Sequence, residues 1–169
     1  YAELFSVMGL VDISDVNTPI IVRDWLQQPG MVGFRTHLHS RLRARWGSEQ
    51  AGHRFWSACN EFEVPVAGFA AGDVEYLEEV LNEWPDLRLI IDHIGLPQID
   101  VTRKQGIDFV QLDRILALNR FPNVMAKIST LPVRSHQAYP FLDMHEIAKR
   151  VFTSFGPTRM MWATDLTQS

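Results

Sequence analysis

Cysteine is almost missing: Cys59 is the single one in 169 residues, so no intramolecular disulfide braces the fold. It stands among Phe55, Trp56 and Phe62 at helical spacing, where it reads as a packing residue. No apolar run approaches the roughly 18 residues of a membrane span. No signal peptide opens the chain. The expectation is therefore a cytoplasmic protein with no membrane partner. Positive charge is also in deficit. The net charge of −4 leaves no basic footprint for nucleic acid. The patch Arg41, Arg43, Arg45 is local and reads as a solvated loop or the edge of an anionic pocket. No Pro/Ser-rich linker, repeat or low-complexity stretch divides the sequence. What remains is 46% apolar and 21% charged, enough for one core, so residues 1–169 are expected to form a single domain. The chain opens on Tyr1 rather than Met and stops four residues after Asp165. Both ends are expected to be cut, which makes the chain a fragment.

The apolar pattern alternates between two periods. Leu4–Ile13, Met31–Leu38, Pro65–Ala70, Leu87–Gly95, Asn123–Ser129 and Arg159–Asp165 read as strands. Between them lie segments of 3.6-residue period. One follows a cap at Asp15 or Asn17, one opens at Ser48 and one is capped by Asp73. Another buries Phe109, Leu112, Ile115 and Leu116, and the last carries Ile147, Val151 and Phe155 to a stop at Gly156-Pro157. Alternating strands and helices, with near-continuous apolar strands, predict an α/β fold with a parallel sheet covered by helices. An open doubly wound sheet would carry a glycine-rich phosphate turn after an early strand. Gly30, Gly33 and Gly47 do not form one. The other parallel architecture is a (β/α) barrel, in which chemistry gathers at the C-terminal ends of the strands.

Four strands end in reactive side chains. Alternation assigns one face to each set: Gly33, Arg35, His37; Leu89, Ile91, His93; Met125, Lys127, Ser129; and Met161, Ala163, Asp165. On this reading the final polar groups emerge together at the mouth of the barrel. Each also has a plainer reading. Asp165 would cap a helix, His93 would be a bonded core histidine, Arg35 a strand-end ion pair, and Ser129 the start of a turn.

LIIDHIGLP resembles the strand-DH-x-G-x-P signature of the amidohydrolase-related TIM-barrel proteins (the amidohydrolase 2 family). GFRTHL resembles their G-hydrophobic-R strand. NVMAKIST resembles their N-V-x-x-K-hydrophobic-S strand, usually followed by Gly where Thr130 stands here. The segment closing on FGPTRMMWATD resembles their FGPxR-hydrophobic-WGSD, with Ala163 and Thr164 replacing Gly and Ser. The four blocks run in the family's order over nearly the whole chain, and the closest branch is the lactone and dicarboxylate hydrolases. The resemblance implies a partial (β/α)8 TIM barrel, with strands three to eight present and the first two strands and the C-terminal helix missing.

It also implies a hydrolase of a small carbonyl substrate, a lactone bearing a carboxylate. Asp165 would be the general base for water and His93 would polarise the carbonyl. Arg35 and Arg134 would grip the substrate carboxylate in bidentate fashion. His37, Ser129, His136 and Tyr139 would contact the same small anionic ligand. A metal-dependent decarboxylase and a non-catalytic binding protein are the alternatives on this fold. The cofactor expectation is none, or a single divalent ion such as zinc, held by the family's His-x-His expected upstream of Tyr1 together with His93 and Asp165. His37 and His39 form a second His-x-His pair, but Arg35 stands where the family's metal strand carries an acid, which points to substrate contact instead.

Overall fold

The computed structural model describes residues 4–38, 40–70, 72–97 and 107–165. Strands β1 (Val7–Gly9), β2 (Met31–His37), β3 (Val66–Phe69), β4 (Leu89–Ile91), β5 (Val124–Ile128) and β6 (Met160–Trp162) form one sheet in the order of the chain. Every neighbouring pair is parallel. A doubly wound sheet reverses its strand order at a switch point. The unbroken order here is that of a barrel wall, and six strands make a curled half-barrel.

Helices cross between the strands. They are α1 (Thr18–Trp25), the short α2 (Ser40–Arg43), α3 (Glu49–Glu61), α4 (Val74–Glu83), α5 (Phe109–Ala117), the short α6 (Leu131–Arg134) and α7 (Leu142–Phe155). No helix of the described residues is long and apolar enough to cross a membrane. Ser48 caps α3 as expected, its hydroxyl accepting the Ala51 N–H at 3.3 Å. Asp73 and Asn17 hold the N-cap positions of α4 and α1 without a side-chain cap bond. The Asp73 carboxylate pairs with Arg43 instead. Phe109, expected inside, is 54% exposed, whereas Leu112 and Ile115 are buried. Cys59 is fully buried, and burial pushes its thiol up.

The outward face of the sheet carries Phe34, Val66, Leu89, Val124 and Ala126, all fully buried against helix residues such as Phe55, Leu77, Leu112 and Val151. The concave face is read from register, since partners on adjacent strands share a face. Arg35 pairs with Ala67, Ala67 with Ile90 and Ile90 with Met125. Lys127, two residues beyond Met125, pairs with Met161. This corrects the face assigned to β4: Leu89 and Ile91 point outward into the core, and Ile90 with Asp92 shares the concave face with Arg35 and Lys127. Close strand approach is eased at Gly33, where a Cβ would lie 2.3 Å from the Pro65 carbonyl oxygen.

Candidate active site

β4 ends at Ile91, and the chain then folds into a single tight turn over Asp92–Gly95. His93, Ile94 and Gly95 follow one another at φ of +53°, +47° and +62°. A β-branched residue rarely adopts such a conformation, and each non-glycine held there costs on the order of 1–3 kcal/mol. The buried side chains of the turn oppose that strain: Ile94 is fully buried and His93 is 8% exposed. A Cβ on Gly95 would lie 2.9 Å from Ile115 Cδ1, so α5 packs where only glycine fits. The turn delivers Asp92 and His93 together to the concave side.

Asp92 is fully buried and sits between two cations. Its Oδ2 accepts from Arg35 Nε at 2.8 Å and lies 2.7 Å from Arg35 Nη2. Its Oδ1 pairs with Lys127 Nζ. Burial alone pushes the Asp92 pKa up. The Lys127 hydrogen bond and the charges of His93, Lys127 and Arg35 outweigh it and hold the carboxyl below the usual range.

His93 binds through both ring nitrogens. Nδ1 lies 2.6 Å from Ser129 Oγ and 3.8 Å from Asp165 Oδ2; Nε2 lies 3.4 Å from Arg35 Nη2. Arg35 can only donate. Nε2 is therefore the acceptor, and Nδ1–H points toward Ser129 and Asp165, a tautomer assigned from these partners. Phe69 meets the ring edge-on at 5.1 Å. Burial lowers the His93 pKa, opposed by Asp92 and Asp165, and the net shift is downward. The ring is neutral at pH 7.

Four of the sequence-predicted residues thus meet: Arg35, His93, Ser129 and Asp165. Ser129 is 2% exposed. Thr130 follows it at φ +62°, the position where the resembled motif carries Gly, and Asp165 itself stands at +51°. His37 lies beside the cluster, half-buried, its ring edge-on to Phe69 at 5.7 Å. Arg134 does not enter it. That side chain is buried, donates to the Pro97 carbonyl at 2.7 Å and ties the segment after β5 to the segment after β4. Burial pushes its pKa down to about 10, which leaves it charged at pH 7. Tyr139 is 84% exposed and packs on Phe141, and His136 is exposed too. His39 lies outside the described residues. Sequence reasoning missed Asp92 and Lys127 as members of the site. Both stand inside quoted motifs, and alternation counted from Ile90 rather than Leu89 finds Asp92.

The charges sort into roles. Arg35 and Lys127 are both answered by Asp92. Asp165 is the second carboxylate, 23% exposed at its side chain and beside a neutral imidazole. The two carboxylates sit in different surroundings: Asp92 is fully buried and paired with two cations, whereas Asp165 is partly exposed.

The amidohydrolase family model matches residues 1–166. An L-fucono-1,5-lactonase of Burkholderia ambifaria is 22% identical over 171 residues, covering 95% of this chain and 54% of the lactonase. Among solved structures, an amidohydrolase of Burkholderia multivorans with bound HEPES superposes with a TM-score of 0.71 at 20% identity, covering 95% of this chain and 58% of its own. A second crystal form of the Burkholderia multivorans amidohydrolase, with bound zinc, superposes with a TM-score of 0.69 at 18% identity, covering 94% of this chain and 57% of its own. A probable 2-pyrone-4,6-dicarboxylic acid hydrolase of Acinetobacter baumannii, solved with citric acid, superposes at 0.66 with 18% identity, covering 97% of this chain and 58% of its own. The chain spans about half the length of the curated relative it matches.

Proposed function

The chain belongs to the amidohydrolase family, and from that premise we propose that the whole protein hydrolyses a small cyclic ester, a lactone bearing a carboxylate, on the concave side of this sheet. The observation that carries the reading is the placement of Asp165 Oδ2 3.8 Å from His93 Nδ1, next to an Asp92 already consumed by two cations. Asp165 takes the proton of a water that attacks the lactone carbonyl carbon. The carbonyl π bond opens to an oxyanion, which accepts from the His93 Nδ1–H or from the Arg35 guanidinium. The ring C–O bond then breaks, and the proton on Asp165 passes to the departing ring oxygen, giving a hydroxy acid. One donor at the oxyanion contributes about 3–4 kcal/mol in comparable sites. Arg35 has five N–H groups, and its side chain is 36% exposed although paired with Asp92, so a ligand carboxylate can approach it. The name of the lactonase relative supports a lactone substrate, and that of the pyrone-dicarboxylic acid hydrolase neighbour supports a lactone that bears carboxylates.

Should the whole protein hold a divalent ion on this side of the sheet, His93 and Asp165 are the described residues that would face it. His93 and Asp165 are two ligands where a protein site uses three or four. Among the described residues no group of three or more His, Cys, Asp or Glu can hold a metal. The steps above use the described residues alone.

The test is turnover of L-fucono-1,5-lactone and 2-pyrone-4,6-dicarboxylate by the whole protein, followed as proton release. Asp165→Asn should lower kcat by roughly 10²- to 10⁴-fold with an unchanged circular dichroism spectrum. Equal turnover by the variant would refute the assignment of the base.

A further inference from the structure

On the helix side of the sheet, α3, α4 and the segment Arg43–Ser48 line a half-open cavity of about 620 Å³. Its walls are largely aromatic. Trp56 is 1% exposed and donates its Nε1–H to Tyr76 Oη at 2.8 Å. Trp46 lies across α3 at Gly52, where a Cβ would come within 3.0 Å of the indole, and meets Tyr76 edge-on at 6.3 Å. Trp84 closes the far side, with His53 edge-on to it at 5.2 Å. The rim carries Glu49, Glu79 and Glu83, with Glu83 paired to His53 at 3.2 Å.

Charge chooses the ligand. Three carboxylates line the cavity, and Arg43, the one permanent cation among its described lining residues, is already balanced by Asp73. An anion would meet net negative charge here. The chain itself shows what this aromatic surface accepts: the Arg43 guanidinium lies over the Tyr76 ring, 3.7 Å from its centroid. We propose that the cavity between α3 and α4 binds an organic cation, an ammonium carried on a small apolar body, against the aromatic side chains that line it, Trp46 and Trp84 among them, with Glu49 and Glu79 as counter-charges. The ring faces hold the cation through their quadrupoles, and the apolar body fills the indole-lined volume. The site is independent of the hydrolytic reading, because the sheet and its buried core lie between the two.

The probe is choline, titrated into the protein while tryptophan fluorescence is followed, with 3,3-dimethylbutan-1-ol as its uncharged isostere. Choline should give a saturable change, and the isostere should bind roughly 2- to 30-fold more weakly, the range a cation–π contact supplies. Glu49→Gln/Glu79→Gln lies on the exposed rim and preserves the fold; it should weaken choline and leave the isostere unchanged. Trp84→Ala, checked by circular dichroism, should weaken both. Absence of a saturable signal up to the solubility limit overturns the proposal. Equal affinity of the isostere, or a double glutamine variant that binds choline as wild type does, overturns it as well.

Discussion

Asp92→Asn perturbs the site where its physics is most exposed. Asp92 receives Arg35 from β2 on one oxygen and Lys127 from β5 on the other, so one carboxylate joins two strands that do not touch. Asparagine keeps the shape, removes the charge and turns an amide donor toward a cation. Breaking a fully buried pair by removing one partner costs about 3–5 kcal/mol. Here Arg35 is 36% and Lys127 22% exposed at the side chain, so both cations recover part of their hydration. The expected loss is therefore about 2–3 kcal/mol, a large share of the 5–15 kcal/mol typical of a domain. Urea unfolding measures it as a fall in midpoint at unchanged slope. Lys127→Met in the same background should recover part of the loss, because the orphaned ammonium is gone, giving a coupling of at least about 1 kcal/mol in the double-mutant cycle. A loss under about 0.5 kcal/mol, or strict additivity, would mean that the pair is a solvated contact and not an anchor. The pH dependence adds an independent check. The folded-state pKa of Asp92 is depressed, so its stabilisation is complete above the ordinary carboxylate value of about 3.9 and is lost as pH falls through the lower folded value. The difference between wild type and Asp92→Asn should stay level at neutral pH and shrink in that acid window.

His93 titrates below its ordinary value of about 6.5, so the acid limb of kcat/KM that needs the neutral ring should fall below that pH. The same depressed pKa gives a stability contribution that is complete above about 6.5 and lost as pH falls toward the folded value; His93→Gln should abolish it in pH-dependent melting. Gly95→Ala forces a side chain into a φ of +62° and against Ile115, and should lower stability by about 1–3 kcal/mol in urea titration. Arg35→Lys loses the planar fork while keeping a charge for Asp92. It should raise KM for a carboxylate-bearing lactone more than it lowers kcat, and an effect confined to the melting temperature would reduce Arg35 to an ion pair.

The parallel α/β wall was legible because its strands are apolar runs separated by helices of clear period, and the six strands appear where those runs lie. Their ends were not. Leu4–Ile13 contains only the strand Val7–Gly9, and Leu87–Gly95 only Leu89–Ile91. Hydrophobicity reports burial, and Ile94 is as buried in a turn as Leu89 is in the ladder. Arg134 shows the opposite failure. A charged residue in a polar segment reads as surface or as a ligand clamp, yet it is 7% exposed and bound to a backbone carbonyl across the mouth of the sheet.

The site's membership turned on one residue of register. A shift of one along a strand moves every side chain to the other face. Counting Leu89, Ile91 and His93 as one face sent Asp92 to the wrong side on paper. His93 nonetheless reaches the concave side, because the strand stops at Ile91 and two left-handed residues redirect the chain. Both members of the Asp-His pair therefore arrive at the same place by different routes: Asp92 by alternation from Ile90, His93 by the turn. That explains why a strained turn is tolerated here. A regular strand would present either the aspartate or the histidine, and only the left-handed turn places the anchor of Arg35 and Lys127 beside the ring that faces Asp165.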